Sequence, residues 1–118
     1  MKNTKFSYLY RDASNYKAFR ELVLEGKLTR NDIQDVLEDG ANFIPEQVGL
    51  PELQAELGQY GAEFPSEDDH VWHEIDSIAE TDEEPNFELT AKQVKQLFLD
   101  VKKVGWKVLE ASERLGVC

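Results

Sequence analysis

Residues 31–89 contain eighteen Asp or Glu side chains and not one Lys or Arg, and this block constrains the fold more than any other feature of the chain. Fifty-nine residues of one charge sign repel each other on collapse. They are tolerated only if the carboxylates are spread over the surface, matched by cations from elsewhere, or met by a ligand. The cations lie at the two ends. Residues 1–30 carry Lys2, Lys5, Arg11, Lys17, Arg20, Lys27 and Arg30 against Asp12, Glu21 and Glu25, a net of +4. Residues 90–118 carry six basic and three acidic side chains, a net of +3, and the whole chain has a net charge of -11. The expected fold closes the basic ends onto the acidic middle. Glu67, Asp68, Asp69, Asp82, Glu83 and Glu84 are expected to form an acidic surface.

A chain of 118 residues has the size of one domain, expected to span residues 1–118. Its 41% hydrophobic residues, with six Phe, four Tyr and two Trp, suffice for one core. A strongly acidic surface repels phosphate backbones, so direct nucleic-acid binding is not expected. No apolar run reaches the ~18 residues that span a bilayer, so no membrane association is expected. The opening Met1-Lys2-Asn3-Thr4-Lys5 leads into alternating aromatics rather than an apolar leader, and one cysteine, Cys118, cannot staple the fold internally. Both observations fit a cytoplasmic protein.

Period-two alternation of Phe6, Tyr8 and Tyr10 predicts a strand, followed by turn chemistry at Asp12-Ala13-Ser14-Asn15. Phe19–Leu24 is read as a second strand, making a hairpin with the first. Thr29 with Asp32 forms a capping box flanked by a Leu28/Ile33 staple, and Gly40 stands where a terminal glycine belongs, so a helix is expected over about 30–39. Ala41–Ile44 reads as a short strand stopped by Pro45, and 47–53 as a turn with one helical turn. Gly58–Asp69 reads as a loop, Val71–Ile78 as a strand, and 80–85 as an acidic loop. Thr90 with Gln93 forms the clearer capping box. Val94, Leu97, Phe98, Val101, Val104, Val108 and Leu109 continue at helical spacing, with Gly105 inside that helix and Gly116 at its end. The fold class is therefore α+β: a small antiparallel sheet of about four strands, packed by a long C-terminal helix and a short middle helix.

Two constellations carry candidate chemistry. His70 and His73, with Asp68, Asp69 and Glu74, offer metal-donor atoms, but on a strand an odd separation sends the two imidazoles to opposite faces, and no metal is assigned. Tyr10, Arg11, Asp12, Tyr16 and Lys17, together with Trp72 and His73, form a candidate binding cluster in which Arg11 presents a planar fork. No P-loop, Gly-x-Gly-x-x-Gly, Gly-x-Ser-x-Gly or EF-hand loop is present, and no cofactor is expected. The patches Phe6–Lys17, Gly49–Leu53 and Asp69–Glu74 resemble a family of small bacterial proteins with no settled activity. That resemblance implies a shared fold and a shared site near Arg11 and His73; residues 86–118 lie outside it.

These features support three functional expectations. The first is a non-enzymatic acidic protein that binds a basic protein partner, as inhibitors of bacterial or phage nucleic-acid-binding systems do. The second is a small ligand- or metal-binding enzyme using Arg11 and the His70/His73 region. The third is a homo-oligomeric structural protein, dimeric through the C-terminal helix.

Overall fold

The computed structural model describes residues 2–11, 17–53 and 71–108. The alternating aromatics build β1 (Asn3–Arg11), which pairs antiparallel with β2 (Lys17–Leu24) in a register that sets Phe6 opposite Leu22 and Tyr10 opposite Ala18. On its other side β1 pairs antiparallel with β4 (His73–Thr81), and β4 pairs in turn with the two-residue β3 (Asn42–Phe43). The strand order is β2-β1-β4-β3, a four-stranded antiparallel sheet with β1 inside it. Between Ser7–Ser77 and Tyr8–Ile75 the register shifts, which leaves Asp76 as the extra residue of a bulge on β4.

One face of the sheet is the core. Phe6, Tyr8 and Tyr10 are fully buried there, with Phe43 from β3 and Phe98 from the C-terminal helix. Their rings meet mainly edge-to-face: Phe6 and Phe43 have centroids 6.0 Å apart at 86°, and Tyr8 and Phe43 5.5 Å apart at 64°. The helix α2 (Ala91–Val104) covers this face with Ala91, Val94, Phe98 and Val101, a stripe at helical spacing. Its start is the expected capping box: the Thr90 N–H donates to Gln93 Oε1 at 2.8 Å, and the Gln93 N–H to Thr90 Oγ1 at 3.2 Å.

Two expectations about helix length are corrected. The middle helix does not run to residue 39. α1 is Arg30–Ile33, tightened into a 3₁₀ turn at Gln34–Val36, and the chain then bends so that Glu38 bridges to Asn42. The cause is a competing set of partners: Arg30 Nη2 and Gln34 Nε2 both donate to the Gly40 carbonyl, at 2.9 and 2.8 Å, which folds the segment back on itself. The last helix does not pass through Gly105. Gly105 has φ 80° and ψ 169°, a conformation essentially reserved for glycine, and it ends α2 with its N–H on the Val101 carbonyl. Val104 and Val108 therefore fall outside the core stripe, with 66% and 39% of their surface exposed.

After the reversal the chain is re-docked. Trp106 Nε1 donates to the Val36 carbonyl at 2.9 Å. The Gln47 amide clamps the turn from both sides, donating to the Gly105 carbonyl and accepting the Lys107 N–H, each at 2.9 Å. Gln47 itself lies in a 3₁₀ turn, Pro45–Val48, closed by Gly49 at φ 76°. A Cβ added at Gly49 would stand 2.6 Å from Leu89 Cδ1, ahead of α2, and 3.1 Å from Leu97 Cδ1 on it, so this turn packs closely on those two side chains. The Gly58–Asp69 loop expectation lies outside the described residues.

The sign of one substitution checks the position of Gly105. Alanine inside a helix would gain roughly 1 kcal/mol over glycine. At φ 80°, ψ 169°, with open space around the position, Gly105→Ala is expected to lower the unfolding free energy by about 1–3 kcal/mol in urea titration.

Candidate functional site

The residues singled out from sequence fall on two sides of the sheet. Tyr10 and His73 lie on the core face, both fully buried, with ring centroids 5.1 Å apart. Arg11, one residue further along β1, projects to the reverse face, where its Nε lies 3.3 Å from Glu74 Oε2. Lys17 stands opposite Arg11 in the hairpin and is exposed. Trp72 is half-buried, in a T-shaped contact with Trp106 at 6.1 Å. The structure thus joins Tyr10 with His73 and Arg11 with Glu74, but the sheet separates the two pairs. Asp12, Tyr16, Glu67, Asp68, Asp69 and His70 lie outside the described residues.

His73 is a tether in the core. Its Nε2 accepts the Leu53 N–H at 3.0 Å, which places the ring proton on Nδ1, directed at the Val71 carbonyl 3.4 Å away. One strand over, the Tyr8 hydroxyl donates to the Pro51 carbonyl at 2.7 Å. Two polar groups on neighbouring strands therefore pin residues 51–53 across the core face. Among the described residues, no buried side-chain nitrogen or oxygen lacks a hydrogen-bond partner. Also among them, no three His, Cys, Asp or Glu side chains gather in a way that could hold a metal ion. The sequence signals aromatic alternation on β1, but nothing in it marks Tyr8 as the tyrosine that reaches across to Pro51.

One group of charged residues lies along the sheet end that carries the start of β1. Lys2 Nζ meets Asp82 at 2.7 Å, Lys5 binds Glu83 and stands 3.6 Å from Glu21, and Asn3 Nδ2 donates to the Glu83 carbonyl at 2.9 Å. On the helical side Lys95 approaches Asp32 at 3.7 Å and Lys102 approaches Asp35 at 3.0 Å. Apart from Lys5–Glu21, every one of these pairs, Arg11–Glu74 included, joins a cation from an end of the chain to an acid of the 31–89 block.

The ion pairs perturb their members in the expected directions. Hydrogen bonding to Lys5 holds the Glu83 carboxyl below its ordinary 4.5, and hydrogen bonding to Lys102 holds Asp35 below 3.8. The Thr29 backbone N–H, foremost, lowers Asp32 as the capping box requires. Hydrogen bonds to Asp82 and Glu83 raise Lys2 and Lys5 above 10.5.

Compared with protein-family models, curated proteins and solved structures, the chain matches none. The likeness read from the Phe6–Lys17, Gly49–Leu53 and Asp69–Glu74 patches therefore supports no functional assignment. Among the described residues, no helix is long and apolar enough to cross a membrane.

Two measurements probe this region. Tyr8→Phe strands the Pro51 carbonyl and is expected to cost about 1–2 kcal/mol, with faster amide exchange at Leu53. Glu83→Gln is expected to lower the urea midpoint at pH 7. A depressed carboxylate stabilises fully above its unfolded pKa, so the difference from wild type closes as pH falls below 4.5 and through the folded value.

Proposed function

We propose that this chain is a non-enzymatic acidic interaction protein whose target is a basic protein. One observation carries the reading. The terminal cations fasten on Asp32, Asp35, Glu74, Asp82 and Glu83, whereas Glu80, Glu84 and Glu88, on β4 and in the segment after it, are exposed and make no ion pair among the described residues. Asp76, displaced by the bulge, is exposed on the same strand. Lys2, Lys5 and Asn3 hold the intervening Asp82 and Glu83 in place, which supports reading the carboxylates around them as a rim that docks to a cationic surface.

The class of partner follows from charge. A surface that presents successive carboxylates matches, in sign, the phosphates that a nucleic-acid-binding protein accepts. The target is accordingly a protein with a phosphate-binding face, which the acidic rim would occlude. Long-range attraction of this kind speeds encounter and is screened within about 10 Å at 0.1 M salt.

Two charge-matched triple variants test the assignment. Glu80, Glu84 and Glu88 changed together to Gln should slow association with a DNA-binding basic protein and flatten its salt dependence. Glu38→Gln, Asp39→Asn and Asp100→Asn, which remove the same charge away from β4 and the segment after it, should leave both nearly unchanged. Surface plasmon resonance at low and high salt distinguishes the outcomes; equal loss in both variants reduces the effect to net charge and discards the rim.

A further inference from the structure

Among the described residues β2 is the outermost strand of the sheet, and what lies against its outer edge covers only part of its length. In an antiparallel strand, alternate residues turn their N–H and C=O away from the paired neighbour. Val23 fixes which residues these are. Its carbonyl accepts the Asn86 N–H at 3.0 Å, and its own N–H donates to Asn86 Oδ1 at 2.8 Å, so Asn86 acts as a one-residue plug on the edge. Glu25, in step with Val23, has its carbonyl on the Ala91 N–H at 2.8 Å. Lys17, Phe19 and Glu21 are in step with both. Their outward N–H and C=O groups continue along the edge beyond the plug and have no partner among the described residues. Phe19 lies in the middle of this stretch with 60% of its surface exposed. Folded proteins ordinarily blunt such an edge, because open backbone groups beside an exposed aromatic invite another strand.

We propose that the Lys17–Glu21 edge pairs antiparallel with the same edge of a second copy of this chain, across a two-fold axis at Phe19. The side chains select this occupant. When Phe19 faces Phe19 of the second copy, outward groups meet outward groups, and the open N–H and C=O of Lys17, Phe19 and Glu21 on both chains close into a ladder. In the same register Lys17 faces the second copy's Glu21, and Glu21 its Lys17, so the edge is complementary to itself. Within one chain Lys17 stands opposite Arg11, a like-charge cross-strand pair that is unfavourable. Arg11 is held by Glu74, while Lys17 has no ion pair among the described residues, and the second copy supplies its carboxylate. Glu21 is available for this: its approach to Lys5 is 3.6 Å, and the closer partner of Lys5 is Glu83. Asn86 also sets the limit of the contact, since a strand extended past Glu21 would meet it at Val23. Five paired residues and one aromatic pair make a small, reversible interface of the transient class.

The experiment is a charge swap on the full chain, read by sedimentation velocity and light scattering from micromolar to millimolar concentration. Wild type is expected to show a monomer–dimer equilibrium. Lys17→Glu and Glu21→Lys should each weaken it by about tenfold or more, the two like-charge contacts acting together. An equimolar mixture of the two variants should dimerise again, because position 17 of either variant then faces an opposite charge at position 21 of the other. The double variant should recover wild-type association by itself. As a second measurement on unmutated protein, amide exchange at Lys17, Phe19 and Glu21 should slow as concentration rises. A wild type that stays monomeric throughout, a dimer indifferent to both reversals, or single variants not restored by mixing would each overturn the proposal.

Discussion

Much of the described molecule is fastened to one strand. Two strands hydrogen-bond to β1 along its length, and its side chains hold the rest. Thr4 Oγ1 donates to the Gly26 carbonyl and accepts the Leu28 N–H, which fixes the passage from β2 toward α1. Asn3 reaches Gly26 and the Glu83 carbonyl, and Tyr8 reaches Pro51. These partners are distant in sequence, so their formation must repay the entropy of closing long loops. Burial of Phe6, Tyr8 and Tyr10 is the large favourable term available to do so, at roughly 1.5–3 kcal/mol for each fully buried large side chain. The polar ends of β1 then specify where each distant segment stops.

The charge pattern acts on this frame by placement more than by energy. The ion pairs join largely exposed side chains, where water and salt screen them and each contributes little. What they decide is where the negative potential remains. Cations delivered by the start of β1 and by α2 cancel carboxylates at the strand end and beside α1. In the segment after β4, the cations of the described residues reach Asp82 and Glu83.

Much of the frame is legible in the residues. Period-two aromatics name β1, and the two capping boxes place the starts of α1 and α2 correctly, because a cap is a local arrangement written in adjacent residues. Helix ends are not legible. Gly40 reads as a helix stop, yet α1 closes earlier because Arg30 and Gln34 both donate to the Gly40 carbonyl. Gly105 reads as a tolerated interior glycine until Gln47 and Trp106 are seen holding the chain beyond it. The candidate site is legible only as a set of residue types. Strand alternation bears on Tyr10 and Arg11 as much as on His70 and His73, and it separates a core tyrosine from an outward arginine. The bulge at Asp76 and the plug at Asn86 leave no local signature, since each exists only through a neighbour far along the chain.

The reversal at Gly105 has an optical consequence. It swings Trp106 under the entrance to β4, where it meets Trp72 at 6.1 Å and nearly perpendicular, and these are the two tryptophans of the chain. Two indoles at that separation couple their transitions, so the pair carries an exciton signature in circular dichroism and shares one emission. Tryptophan spectroscopy of this protein therefore reports a single joint between the tail of α2 and the head of β4. Because Trp106 also meets Phe98 edge-to-face at 6.2 Å, loss of that signal marks the parting of the joint from the aromatic layer beneath it.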